Sequence, residues 1–480
     1  MKTSKEELRN LYQRSLSSGL TTIEQSFNNI KDSFTSWKLQ KHDDYFEMTS
    51  FDSGIPSFRK ISYSKKDYSS LLTIDGKKHS DIPTFNEYLN IVKTDKYLRN
   101  YYELDEKAEL SDDSERFFVS LYSHYYLSQF IERYIHLNKE TFSFNQNLFD
   151  ELFEKWYKSI YENPLEIEVQ IPLIFLDFEI EDIQLDENIF ITKIPEAFQL
   201  ARNTQTSYTD SSNPIVAGGA THSLVLKKWT IPNDHYDSRR HSLYDINSYE
   251  AVLVVVNDFL CALRISTGFE TGTSQILTIP KGWEDTPKAD LPVVFFCSVR
   301  NYPSHYDDFG WLINPPKVNT EEIEQTKIIF QKIRTTHRNN IRLAINRLNT
   351  AFLRSKEEDT ILDTTIALET LLTHDSKSEI TYRLSSRIAT LCHIEQFEKY
   401  EQWEVFSLCK KIYAFRSDVI HGNTKGLNKS RKIKSKDDKE IPTIRLSISL
   451  LRHVLKILLL HPKYAELEMI DKFKFKKTEP

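Results

Sequence analysis

The chain has 480 residues and a formal net charge of −6, enough for two or three domains of roughly 100 to 200 residues each. Hydrophobic residues at 39%, charged residues at 28%, 24 Tyr and 29 Phe provide for packed cores and exclude wholesale disorder. Only 11 Gly occur, about 2% where roughly 7% is usual, and neither G-x-G-x-x-G nor G-x-x-x-x-G-K-[ST] is present, so no dinucleotide or Walker-type phosphate loop is marked.

The start, Met1-Lys2-Thr3-Ser4-Lys5-Glu6-Glu7, carries no apolar leader. Leu8, Leu11, Tyr12 and Leu16 then predict an amphipathic helix within residues 1–38. Residues 40–105 read as strands and loops, with alternation from Phe58 to Tyr63. Phe117, Leu121, Tyr125, Phe130 and Tyr134, followed by Leu148, Leu152, Trp156 and Ile160, predict two helices separated by the stretch from Asn138 to Asn147. Period-two patterns at 167–171, 177–181, 188–194 and 223–229 predict strands, so Asp177, Glu179 and Glu181 fall on a wet strand face and not around a metal. Residues 203–219 and 232–240 read as loops. A buried helix is predicted over 248–265, with strands over 274–279 and 291–299. Its apolar run from Ala251 to Leu263 is broken by Asn257 and Asp258, short of the about 20 residues that a membrane span needs.

At 311–320, Asn314-Pro315-Pro316 forbids helix propagation, and Thr320 ahead of Glu321 and Glu322 starts a helix with acids at the positive end of its dipole. Five helical stretches follow: 321–356, 358–373, 379–393, 401–420 and 443–460. The lysine-rich segment 425–439, including Lys436, reads as a mobile loop. The expected architecture is therefore α+β: a β-rich module with helical insertions over 1–310, with a sub-boundary near 165, a linker over 311–320, and an all-α bundle over 321–480. Charge divides along the same line. Residues 321–480 hold 30 Lys and Arg against 22 Asp and Glu, while the rest holds 33 against 47. A basic bundle behind an acidic body suits a polyanionic partner.

Four well-separated cysteines, Cys261, Cys297, Cys392 and Cys409, form no C-x-x-C pair and read as reduced core thiols. We expect a cytoplasmic chain with no membrane segment and no cofactor or metal.

Chemistry concentrates in Tyr413-Ala414-Phe415-Arg416-Ser417-Asp418-Val419-Ile420-His421-Gly422-Asn423. Val405, Leu408, Ile412, Phe415 and Val419 form the apolar stripe of a helix, leaving Arg416 and Asp418 off it. Gly422 suits the left-handed residue that ends a helix, which places His421 at the cap, against the negative end of the dipole. RNA cleavage without metal needs a base for the ribose 2′-hydroxyl, an acid for the departing 5′ oxygen, and a cation against the phosphorane. His421 can serve as base or acid and Arg416 as a bidentate phosphate clamp. One histidine cannot do both proton transfers at once, so pairing of two chains through this helix would assemble a composite site. The alternative is structural: Arg416 and His421 as a capping pair bridged to Asp418 or a neighbour. Lys425, Lys429, Arg431, Lys432 and Lys434 read equally as phosphate contacts or as a solvated loop.

Arg416 to His421 resembles the R-x4-6-H signature of HEPN ribonucleases. Ile366-Ala367-Leu368-Glu369-Thr370-Leu371-Leu372 is similar to the A-L-E-x-L helix of their Apea-like subgroup, and Tyr382-Arg383-Leu384-Ser385-Ser386-Arg387 to its Y-R-L-x-x-R helix. The likeness covers roughly residues 320–462. It implies a metal-independent endoribonuclease, active as a homodimer, serving prokaryotic abortive-infection defence against phage, with tRNA among its substrates. The residue after the arginine is commonly Asn, Asp or His in active members, and Ser417 stands there in this chain. Glu369 is expected to pair with Arg383 or Arg387 in an orienting role. The 1–310 region is left as a sensor for a phage-derived trigger, and a catalytically inactive scaffold that binds RNA or a protein is the alternative reading.

Overall fold

The computed structural model describes residues 2–30, 39–75, 79–101, 113–204, 213–234, 236–280, 291–373, 379–434 and 439–474. Expected features on 31–38, 205–212 and 435–438, Lys436 among them, and on the side chain of Phe117 lie outside these residues.

The predicted first helix forms as α1 (Lys5–Ile30). A hairpin of β1 (Gln40–Ser50) and β2 (Pro56–Lys66) follows, then a short pair, β3 (Ile74–Asp75) and β4 (His79–Ser80). The region read as strands and loops also holds α2 (Phe85–Thr94) and α3 (Lys96–Tyr101). The two predicted helices form as α4 (Asp113–Leu137) and α5 (Gln146–Tyr161). Leu8, Tyr12, Tyr88, Ile131, Phe153 and Trp156 close an apolar core of their own here, which ends just before the sub-boundary expected near 165.

From there the chain builds a sheet. β5 (Leu165–Leu173), β6 (Asp177–Phe178), β7 (Asp182–Asp186) and β8 (Ile189–Lys193) are followed by α6 (Glu196–Thr204) and α7 (Pro214–Gly218). Next come β9 (His222–Ile231), α8 (Tyr236–Tyr244), α9 (Glu250–Thr267), β10 (Thr273–Pro280), β11 (Phe295–Asn301) and β12 (Lys317–Val318). Six of these strands pair antiparallel in the order β11-β10-β5-β9-β8-β7, with Val169 opposite Leu226 and Ile171 opposite Leu224 at the centre. The loops expected at 203–219 and 232–240 thus contain helical turns. Asn213 caps one of them through its side chain, ahead of Pro214 at the first helical position.

Linker residues Lys317 and Val318 pair parallel with β6, and Asn319 closes a capping box with Glu322 that starts α10 (Thr320–Thr335). The single long helix expected over 321–356 is instead two, α10 and α11 (Asn339–Leu353), broken at Thr336 and Arg338, both extended. An unbroken helix would run about 54 Å; the break folds α11 back so that Ile333 and Ile341 both reach the core. The remaining helices are α12 (Glu357–Leu372), α13 (Ile380–Ile394), α14 (Gln402–Ile420), α15 (Thr424–Ser430), α16 (Thr443–Leu460) and α17 (Leu467–Lys474). The described residues of the segment expected as a mobile loop are instead ordered, in α15 and a hairpin of β13 (Lys432–Lys434) and β14 (Glu440–Pro442). Buried Ile433, opposite Ile441, anchors that hairpin.

One apolar cluster runs from Ile167 and Leu224 on the sheet, through Val256 and Phe259 of α9, to Phe330 of α10 and Leu450 of α16. The core therefore crosses the 311–320 segment without a gap. Among the described residues, the stretch Ile246–Thr267 is long and apolar enough to cross a membrane, with mean hydropathy 1.4. Its place is this core, where Asp258 binds Arg342 at 2.6 Å and Arg264 binds Asn349 at 2.6 Å.

Candidate functional site

The carboxyl end of α14 is built as its sequence requires. His421 is the cap, at φ −89° and ψ 1°, and Gly422 takes φ +63°. Gly422 N–H donates to the carbonyl of Val419 at 3.3 Å and Asn423 N–H to that of Asp418 at 2.9 Å, the paired bonds of a Schellman motif. Asp418 then fastens the next turn. Its carboxylate accepts from the Asn423 amide at 2.9 Å and the Ser430 hydroxyl at 3.0 Å, which draws α15 against α14. Gly426 passes so close that a Cβ there would meet the Asp418 carboxylate.

Arg416 leaves α14 on the side facing α12. Its guanidinium lies 3.6 Å from Glu369, and Tyr413, one turn earlier, donates its hydroxyl to the same carboxylate. Burial, then the bond to Glu369, pushes the Tyr413 phenol far above its ordinary value, so it remains a donor. At 3.6 Å the Arg416 contact is an ion pair beyond hydrogen-bond range, and the side chain retains 30% exposure. Arg416 Nε is shielded from solvent and has no acceptor among the described residues. The guanidinium is thus held in place by a carboxylate and a ring face 5.8 Å away while keeping donors to spare.

His421 is exposed. It continues an exposed stripe of α14 formed by Trp403, Lys410, Ala414 and Ser417, with Trp403 71% exposed. Five residues of helix turn Arg416 and His421 about 140° apart around the axis. They share one end of the bundle without sharing a helix face.

Among the described residues, Glu369 forms no ion pair with Arg383 or Arg387, the partners expected for it. Arg387 is buried and turns to Asp471 of α17, at 2.6 and 3.0 Å, and to the carbonyl of Leu372 at 2.6 Å. Arg383 is half-buried. Glu369 has Tyr413 and Arg416 instead, because α12 packs its far end on α14. The role of Tyr413 was not read from sequence; its signal was its position three residues before Arg416, on the same flank.

The basic residues beyond the cap divide into two groups. Arg431 pairs with Glu357 at 2.7 Å and Lys432 with Glu440 at 3.0 Å. Lys425, Lys429 and Lys434 are exposed and make no ion pair among the described residues. Surface pairs of this kind are worth at most about 1 kcal/mol, so a phosphate can exchange for either carboxylate. Elsewhere, Asp177 contacts Thr221, His222 and Lys317, and no three His, Cys, Asp or Glu side chains gather at metal-binding distance among the described residues. All four cysteines are buried thiols outside any disulfide, and burial raises those of Cys261 and Cys409 to about 12. The chain matches no family model, no curated protein and no solved structure.

Proposed function

We propose that the chain is a metal-independent endoribonuclease of the HEPN type that cuts cellular RNA, tRNA among the candidates, as an abortive-infection effector in prokaryotic defence against phage. The observation that carries the reading is the close of α14: an exposed imidazole at the helix cap, and five residues before it a partly exposed guanidinium braced by Glu369 and Tyr413. In this reading Arg416 clamps the scissile phosphate and His421 moves the proton at the 2′ or 5′ oxygen. Ser417 faces solvent beside them as a further donor, and Asp418 sets the backbone that carries His421. Glu369 and Tyr413 are positioning residues. Lys425, Lys429 and Lys434 extend the cationic surface for the RNA backbone.

The 140° divergence of Arg416 and His421 fits a site shared between two chains, each supplying a group to the other across the exposed α14 stripe. The same divergence also favours a second reading, a bundle that binds RNA or a protein without cutting. Cleavage assays in EDTA separate the two. The nuclease yields 2′,3′-cyclic phosphate ends, and His421→Ala lowers the rate by about 10² to 10⁴ with unchanged melting temperature. RNA bound without products, or cut equally well by His421→Ala, rejects the assignment. Trp403→Glu, on the same stripe, is expected to shift the chain from dimer to monomer in sedimentation and to lower cleavage with it.

A further inference from the structure

A cavity of about 760 Å³ opens between the end of α9, the first half of α16 and the β13–β14 hairpin, away from the close of α14. Its volume lies within the range of small-molecule sites. One face of α16 lines it with Arg445, Ser449 and Arg452, spaced i, i+4 and i+7, so that the backbone positions of the two arginines stand about 10 Å apart along the helix. Phe269 and Phe352 also line the cavity, and Ser449 donates to Glu398 at 3.5 Å.

The two arginines differ in how they are held. Arg452 is half-buried; its Nε and Nη2 donate to the carbonyls of Arg264 and Ile265 at 2.5 and 3.1 Å in the last turn of α9, where the Arg264 carbonyl also accepts from Gly268 N–H at 2.9 Å. Nη1 has no acceptor among the described residues, and it lies where a Cβ on Gly268 would be. Burial lowers the pKa of Arg452 to about 10, which leaves it a cation at neutral pH. Arg445 is exposed and makes no ion pair among the described residues. Three carboxylates also line the cavity, and each already has a partner: Glu270 takes the Tyr306 hydroxyl, Glu357 the Arg431 guanidinium at 2.7 Å and Glu398 the Ser449 hydroxyl at 3.5 Å. Two cations with donors to spare, a hydroxyl between them and two aromatic side chains match a phosphate joined to a planar or sugar-bearing body.

The cavity is also wired to α14. Thr443, between the lining residues Pro442 and Ile444, donates its N–H to the carbonyl of Arg431 at 2.9 Å and its hydroxyl to that of Ser430 at 2.6 Å. Ser430 binds Asp418, which holds the Asn423 turn. A second lining residue, Glu357, takes the Arg431 guanidinium.

We propose that this cavity binds an organic phosphate of nucleotide size, and that its occupancy stiffens the α14–α15 corner through Thr443, Ser430 and Asp418. The proposal goes beyond the nuclease reading and does not need it. The full chain is titrated calorimetrically with adenosine 5′-monophosphate, uridine 5′-monophosphate, ribose 5-phosphate, adenosine and inorganic phosphate. At least one phosphorylated organic probe is expected to bind, adenosine about tenfold or more weakly. Arg445→Glu should weaken binding by about tenfold to a hundredfold without moving the unliganded melting temperature, and Ser449→Trp should block it by filling the space. Arg416→Ala should bind as the wild type does. Hydrogen exchange should slow over 418–431 when the probe is bound. The site is overturned if no phosphorylated organic probe binds, if adenosine binds as tightly as its phosphate, if Arg445→Glu and Ser449→Trp leave affinity unchanged, or if Arg416→Ala abolishes binding. Unchanged exchange over 418–431 overturns the coupling. None of these readouts involves RNA cleavage, so their failure and that of the nuclease reading are told apart.

Discussion

Tyr413 shows how much a single side chain adds to the proposed site. Its hydroxyl and the Arg416 guanidinium are both partners of Glu369, and Glu369 is only 24% exposed, so the carboxylate relies on them in place of water. Tyr413→Phe keeps the ring against Arg416 and removes the donor. The expected cost is about 1 kcal/mol in urea unfolding, with cleavage reduced more than stability because Arg416 loses its brace. A stability loss with cleavage at the wild-type rate would show that Tyr413 serves only packing. Arg416 and His421 were legible because their spacing and the glycine after them are local features. The partner of Glu369 was not, since an i, i+4 pair such as Arg383 and Arg387 describes one helix face, and which element that face meets is decided by packing. Arg387 found Asp471, 84 residues away on a short helix that the sequence reading did not identify.

At the scale of the element, the α14–α15 corner depends on two glycines for different reasons. Gly422 supplies a positive φ that lets the backbone close two bonds over the last carbonyls, whereas Gly426 supplies the absence of a Cβ beside Asp418. Gly422→Ala is expected to cost about 1 kcal/mol. Gly426→Ala should cost more, because the Asp418 carboxylate and Asn423 amide must both move, and it should speed amide exchange over 423–430. Equal costs in urea unfolding for the two variants would contradict this account. The end of α14 could be read from sequence through Gly422, but the next segment was misread through its lysines. Charge hid the pattern in which Ile433, between two lysines, pairs across a hairpin with Ile441, between Glu440 and Pro442. The break between α10 and α11 was illegible for the opposite reason: no Gly or Pro marks Thr336 or Arg338, and tertiary contacts alone bend the chain there.

Across the whole molecule, the α+β order was legible because strand and helix periods follow one another along the chain, while the continuity of the core was not. Charge separates the last third from the rest, yet α9 packs on α10, α11 and α16 as well as sharing one apolar cluster with the sheet. Buried and half-buried histidines are spread through the whole molecule in the same way. His124 lies on α4 against Phe85, His222 on β9 against Phe178, and His453 on α16 with Nε2 against the carbonyl of Glu395 at 2.8 Å. Burial is the first cause in each case and lowers all three below the ordinary 6.5, outweighing Asp81 near His124, Asp177 near His222, and Glu395 and Glu398 near His453. The unfolded chain therefore takes up these protons first. Stability is full above about pH 6.5 and falls as the pH drops through that value toward the folded pKa values, by up to about 1.4 kcal/mol per pH unit for each histidine. Melting temperature should hold steady from pH 8 to 7 and decline from 6.5 to 5, and His453→Gln, which keeps a donor for the Glu395 carbonyl, should flatten part of that decline. A melting temperature independent of pH over this window would mean that the three imidazoles remain as protonatable in the fold as in the open chain.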